Sequence, residues 1–99
     1  MQVTSTTNGP EVVITVAGEI DADTSPSLDA AIAEVVGQGI RSLVVDLEEV
    51  TFLGSSGLSV LIGAQRSVES FELRRGNRIV DRLITLTGLE RLYGSATSA

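Results

Sequence analysis

The chain has no cysteine and no histidine, and all seven of its basic residues are arginine. Without cysteine there is no disulfide, no thiolate nucleophile and no cysteine-ligated zinc or iron–sulfur site, a composition suited to a reducing compartment. Without histidine the usual general base at neutral pH is missing, and so is the commonest metal ligand. No cofactor and no metal are therefore expected. Apolar runs stay well short of the ~18 residues of a membrane span. The opening stretch, MQVTSTTNGP, lacks the basic and apolar regions of a secretory signal. A soluble cytoplasmic protein with no membrane partner is the expectation.

What is present is an acidic chain of 99 residues with a net charge of −6. That length suits a single domain over 1–99, one that buries roughly two thirds of the surface its unfolded chain exposes. The charge is unevenly spread: residues 1–50 hold nine acids and only Arg41, whereas 51–99 hold four acids and six arginines. Nucleic acid is not an expected partner of so acidic a chain. The arginine-only usage reads first as codon bias and second as suitability for an arginine-built interface.

Residues 11–17, EVVITVA, alternate and are β-branched, which predicts a strand. An edge strand at 2–7 precedes it, with Asn8-Gly9 as the hairpin turn. In TSPSLDAAIAEVVGQG, Ser25 suits a cap and Pro26 the first helical position. Leu28, Ala31, Ile32, Val35 and Val36 recur at helical spacing, and Gly37 and Gly39 end the helix. SLVVDL at 42–47 is almost continuously apolar, as in a central strand covered on both faces. Leu58, Leu61, Ile62 and Gln65 predict a helix over 56–67. SFELR at 70–74 is a further strand, and Ile79, Val80, Leu83, Ile84 and Leu86 mark a third helix closed by Gly88. The tail, LERLYGSATSA, has room for one last short strand, with 94–99 fraying beyond a core of 11–93.

The alternation of strand and helix implies an α/β domain with right-handed crossovers between parallel strands. The sheet is expected to be mixed but mostly parallel, with four or five strands. Loops after parallel strands emerge at one carboxyl edge, where α/β proteins place their sites. That edge would gather the acidic loop GEIDADTS, the paired serines of EEVTFLGSS, and the arginines around RGN.

Gly54-Ser55-Ser56-Gly57 admits several readings. A hydrolase elbow needs Gly-x-Ser-x-Gly and a base; the spacing is one residue short and there is no histidine. A nucleotide-phosphate loop needs a lysine that this chain lacks. Gly37-Gln38-Gly39 lacks the third glycine of a dinucleotide site. Helix capping by a serine fits, with Gly57 permitting tight packing, but one serine suffices to cap. The second hydroxyl would be exposed and free for another role. Asp21 and Asp23 read equally well as solvated acids near a helix start and as docking charges. Glu48 and Glu49 read as a solvated loop and Asp46 as the end of its strand. Arg74, Arg75 and Arg78 read as surface charge, or as partners of a phosphate on the serines.

Three segments in order, GEIDADTSPSL, LVVDLEEVTFLGSSGLSVLIG and VDRLITLTGLERLY, resemble the anti-sigma-factor antagonists, STAS domains of bacterial regulators. The likeness runs from Val12 to Tyr93. It implies that the unphosphorylated protein binds an anti-sigma factor with serine kinase activity and frees its sigma factor. It also implies that phosphorylation of the helix-start serine, here Ser55 with Ser56 as the alternative, ends the binding. The docking residues would be Asp21, Asp23, Thr24, Gly54, Ser55, Ser56, Gly57 and Leu58. Gly54 stands where the best-known members carry aspartate. A regulatory protein rather than an enzyme is expected, as a monomer or weak dimer paired through the 2–7 edge. The alternative is a STAS scaffold or ligand-binding module with no phosphorylation cycle.

Overall fold

The computed structural model describes residues 1–74 and 76–88. Four strands, β1 (Gln2–Asn8), β2 (Glu11–Ile20), β3 (Ser42–Leu53) and β4 (Ser70–Arg74), form one sheet in chain order. β1 runs antiparallel to β2, and the other pairings are parallel. The helices are α1 (Ser25–Val36), α2 (Ser55–Ser67) and α3 (Arg78–Leu86). This is the expected mixed, mostly parallel α/β sheet, with β3 central. The fifth strand foreseen in the tail and the fraying of 94–99 lie outside the described residues.

Local chemistry accounts for the elements. Gly9 and Pro10 form the hairpin link between the paired Asn8 and Glu11. Gly9, at φ 63°, supplies the left-handed position that a two-residue loop requires. Along β2, Val12, Ile14 and Val16 are fully buried and alternate with half-buried neighbours. β3, flanked by β2 and β4 and packed against α3, is buried at five successive positions, Leu43 to Leu47. α1 presents Leu28, Ile32 and Val35 to the core, and α2 presents Leu61 and Ala64. Each such buried leucine, isoleucine or valine contributes about 1.5–3 kcal/mol of transfer free energy.

Several boundaries differ from expectation. β2 and β3 run on to Ile20 and Leu53, so Glu48-Glu49 and Val50 to Leu53 are strand rather than loop. Their pairing shifts register twice, between Thr15 and Ala17 and between Gly18 and Glu19, and the second shift begins at Gly18, whose φ of 100° suits only glycine. Such irregularities disrupt the alternation that sequence reading relies on. Asp46 does not end its strand: it sits within β3, is buried, and accepts a bond from the Glu48 amide at 3.0 Å. On α3 only Val80 and Ile84 are buried; Ile79 and Leu86, expected on the apolar face, are exposed.

β4 ends opposite Asp46, leaving the far half of β3 without a strand on that side among the described residues. Asn77 fills the gap. Its Oδ1 caps α3 by accepting from the amides of Ile79 and Val80, both at 3.0 Å. Its Nδ2 donates to the carbonyls of Glu48 and Val50 on the open edge. Backbone groups that would otherwise lack a strand partner are thereby satisfied.

Candidate functional site

The extended carboxyl ends of β2 and β3 deliver two short turns to one place. The Gly54 amide donates to the Ile20 carbonyl at 2.9 Å, joining the strand ends. Gly57 then brings α2 down onto the same corner. A Cβ at this position would lie 2.6 Å from Ile20 Cγ2 and 2.8 Å from Leu53 Cδ1, so no side chain fits. This is the tight packing foreseen for Gly57. Leu58 is half-buried against the core.

The acidic turn is held by its own hydrogen bonds. Asp21 Oδ1 accepts from the amides of Asp23 and Thr24, each at 3.0 Å, and lies 3.1 Å from Thr24 Oγ1. The Asp21 amide donates to Thr24 Oγ1 at 2.8 Å, and that hydroxyl also lies 2.8 Å from the Glu19 carbonyl. The Thr24 amide is the largest influence holding the Asp21 carboxyl below its ordinary range, against a smaller opposing effect of desolvation. Asp21 is half-buried and orders the turn, whereas Asp23 is exposed.

Ser25 is not the cap of α1, and Pro26 is not its first residue. Thr24 holds the cap position, Ser25 is the first helical residue and Pro26 the second. Ser25 is 4% exposed. Its amide and hydroxyl both donate to the Asp21 carbonyl, at 2.8 and 2.5 Å. Its Oγ also lies 3.0 Å from Ser56 Oγ, on α2. One hydroxyl has one proton. A carbonyl only accepts, so Ser25 gives its proton to Asp21, and the proton between the two serines is that of Ser56.

Neither serine caps α2. Gly54 occupies the cap position with an extended backbone and contributes no side-chain bond, so Ser55 is the first helical residue. Ser55 is exposed and Ser56 half-buried. Beside them, between α1 and α2, lies an open groove of about 430 Å³ lined by Ala22, Ser25, Pro26, Asp29, Ser56, Ser59 and Val60.

The acidic turn and the serines are thus neighbours, as the parallel topology predicts. Arg74 and Arg78 are not part of this corner. Arg74 pairs with Asp46 in the sheet, and its side chain lies 3.7 Å from Glu72. Gly54 is eight residues further along the chain from Asp46, roughly 25 Å at about 3.3 Å per strand residue. Arg78 begins α3 beside the Asn77 contacts to Glu48 and Val50, and Arg75 lies outside the described residues. β3 outruns β4, which separates the two loops. Sequence reading missed the Ser25–Ser56 contact and Asn77; an Asn just before a helical repeat is a usable cap signal. No cluster of three potential metal ligands occurs among the described residues, and no described helix is long and apolar enough to cross a membrane.

A sheet with one antiparallel edge strand and two helix starts gathered at the ends of β2 and β3 is the architecture of a STAS domain. The family described as "Mlab, STAS domain" matches residues 3–94. The anti-sigma-F factor antagonist RsfB of Mycobacterium tuberculosis is 39% identical over 85 residues, covering 82% of this chain and 69% of that protein. The crystal structure of an anti-sigma factor antagonist from Mycobacterium paratuberculosis superposes with a TM-score of 0.85 at 34% identity, over 93% of this chain and 81% of that one. The chain belongs to the STAS family, among its anti-sigma-factor antagonists. The Bacillus protein SpoIIAA, solved in unphosphorylated and phosphorylated forms, shares the fold at 21% identity. The TM-scores are 0.80 and 0.74, with 94% of this chain covered in each case and 86% and 89% of the other chain.

Proposed function

We propose that the unphosphorylated protein binds an anti-sigma factor with serine kinase activity through the rim formed by Asp21, Asp23 and Thr24 together with Gly54 to Leu58. Binding frees the sigma factor, and transfer of phosphate to Ser55 ends the binding. The observation that carries this reading is the exposed hydroxyl of Ser55 at the first turn of α2, beside the acidic turn. Relatives named as anti-sigma-factor antagonists support the partner class, and the phosphorylated form of SpoIIAA shows that this fold accommodates such a group in that protein.

The physics of the switch favours the interface over the fold. Negative charge at a helix N-terminus is favourable by about 0.3–1 kcal/mol, and the amides of the first turn can meet the phosphate oxygens. A phosphoserine carries about −1.5 to −2 charge. Against a like charge on the partner ~5 Å away, at an effective dielectric near 20, repulsion is about 3 kcal/mol for unit charges. That lowers affinity on the order of a hundredfold and exceeds the gain at the helix end.

The test incubates the protein with its anti-sigma factor and ATP, then maps the phosphate by tandem mass spectrometry in wild type and Ser55→Ala. Phosphate on Ser55 of wild type and only slow labelling of the variant is the expected result. An unmodified wild type would sink the proposal, and labelling of Ser55→Ala at the wild-type rate would move the assignment to Ser56.

A further inference from the structure

We infer that Ser25 is the residue that selects between the two serines, engaging the Ser56 hydroxyl so that phosphate is directed to Ser55. This inference rests on the phosphorylation reading above and adds a positioning residue from a different helix.

The argument starts from proton count. Ser56 Oγ donates to Ser25 Oγ, and Ser25 Oγ donates to the Asp21 carbonyl, making a directed chain from α2 through the start of α1 to the acidic turn. Bonds in such a chain polarise and strengthen one another. Phosphoryl transfer forms a bond between serine Oγ and the γ-phosphorus of ATP and breaks the bond from that phosphorus to the bridging oxygen. ADP leaves, and the hydroxyl proton passes to a base of the kinase. The nucleophile must therefore offer a free lone pair to phosphorus and its proton to that base. Ser55, exposed, has no hydrogen bond of its hydroxyl among the described residues and can do both. Ser56 has its proton committed to an oxygen that is itself buried and unable to take another role. It must break this bond and turn outward before it can react.

The glycines on either side cannot provide this discrimination. Both serines lie between Gly54 and Gly57, on one turn of one helix and one residue apart, so a kinase reading local sequence meets two acceptors. The bond that Ser56 donates to Ser25 distinguishes them by tertiary contact, which no local motif encodes. Loss of a neutral hydrogen bond of this kind corresponds to roughly three- to tenfold in rate, and the half-buried position of Ser56 adds to it.

The experiment uses the full chain with its cognate anti-sigma factor kinase and Mg-ATP, with site-resolved phosphate occupancy followed over time. Wild type, Ser25→Ala, Ser55→Ala and the double variant are compared. Ser25→Cys, close in shape but a weak acceptor, guards against a Ser25→Ala chain that fails to fold. Wild type is expected to carry phosphate on Ser55 with little on Ser56. Ser25→Ala and Ser25→Cys should raise the initial rate at Ser56 about three- to tenfold while Ser55 remains a substrate. In the Ser55→Ala background, slow labelling of Ser56 should accelerate by the same factor when Ser25 is also replaced. A merely structural Ser25 would change both serines together or neither. Unchanged Ser56 labelling in both Ser25 variants, with Ser55 labelled normally, overturns this inference and leaves the functional proposal standing. No phosphate on wild type overturns both.

Discussion

At the scale of single residues, two positions govern the corner where the strand ends meet. Gly57 is required by distance: a methyl group there would come within 2.6 Å of Ile20 and 2.8 Å of Leu53, both buried side chains that would have to shift. Overpacking of this kind costs about 1–3 kcal/mol. Gly57→Ala is therefore expected to lower the urea midpoint and to reduce the melting temperature by roughly 4–8 °C per kcal/mol in a domain of this size. An unchanged melting curve would contradict the packing described. Asp21 makes a prediction about pH. Its carboxyl is held below the ordinary range when folded, chiefly by the Thr24 amide. A carboxyl depressed in this way stabilises the fold above its unfolded pKa, and the stabilisation is lost as pH falls through the folded value. Wild type is thus expected to lose stability more steeply than Asp21→Asn as pH is lowered from neutrality into the acid range, with the two converging at the acid end. Urea titrations at several pH values would check this, and parallel slopes would refute it. Asp21 was legible as an important acid, yet its first task is to order its own turn, because hydrogen bonding to neighbouring amides depends on backbone shape rather than residue type.

At the scale of elements, Asn77 carries more than a cap. It bonds two first-turn amides of α3 and two carbonyls on the open edge of β3. Replacement by alanine removes the cap, worth about 0.5–2 kcal/mol, and leaves the Glu48 and Val50 carbonyls without the amide they meet. Asn77→Ala should cost about 2 kcal/mol in all, read as a lower urea midpoint and as faster hydrogen exchange along α3; a loss below a few tenths would mean that solvent replaces every one of those bonds. The elements show where the sequence was readable. Periodicity found all four described strands and all three helices, because burial of Val12, Ile14, Leu28, Ile32 and Leu61 imposes the spacing directly. It failed beyond Asp46, where register shifts disrupt the alternation and charged Glu48 and Glu49 lie exposed on a strand. It also misplaced both helix starts. Glycine, serine and threonine are all acceptable caps, so composition alone does not say which residue of Thr24-Ser25 or Gly54-Ser55 takes the non-helical position. That one-residue difference places Ser55 inside the first turn of α2, with Gly54 at the cap.

At the scale of the whole molecule, three acids of the first half gather at one corner of the sheet. Asp21, Asp23 and Asp29 lie about the turn and helix start beside the serines, while Arg74, opposite Asp46, and Arg78, next to the Asn77 contact with Glu48, lie back along β3. A negative rim of this kind favours association with a positive surface and repels further negative charge. Adding charge at residue 55 therefore has opposite effects on two measurable quantities. Within the protein, Ser55→Asp places a carboxylate at the first turn of α2, where it gains about 0.3–1 kcal/mol from the helix end, so the melting temperature should stay level or rise by a few degrees. Across the interface, a unit charge about 5 Å from a like charge at an effective dielectric near 20 is repelled by roughly 3 kcal/mol, so affinity for the anti-sigma factor should fall on the order of a hundredfold. Calorimetric melting and titration of the same preparation would read both. A Ser55→Asp protein that melts early would place the switch in the fold, and one that binds as tightly as wild type would remove residue 55 from the interface.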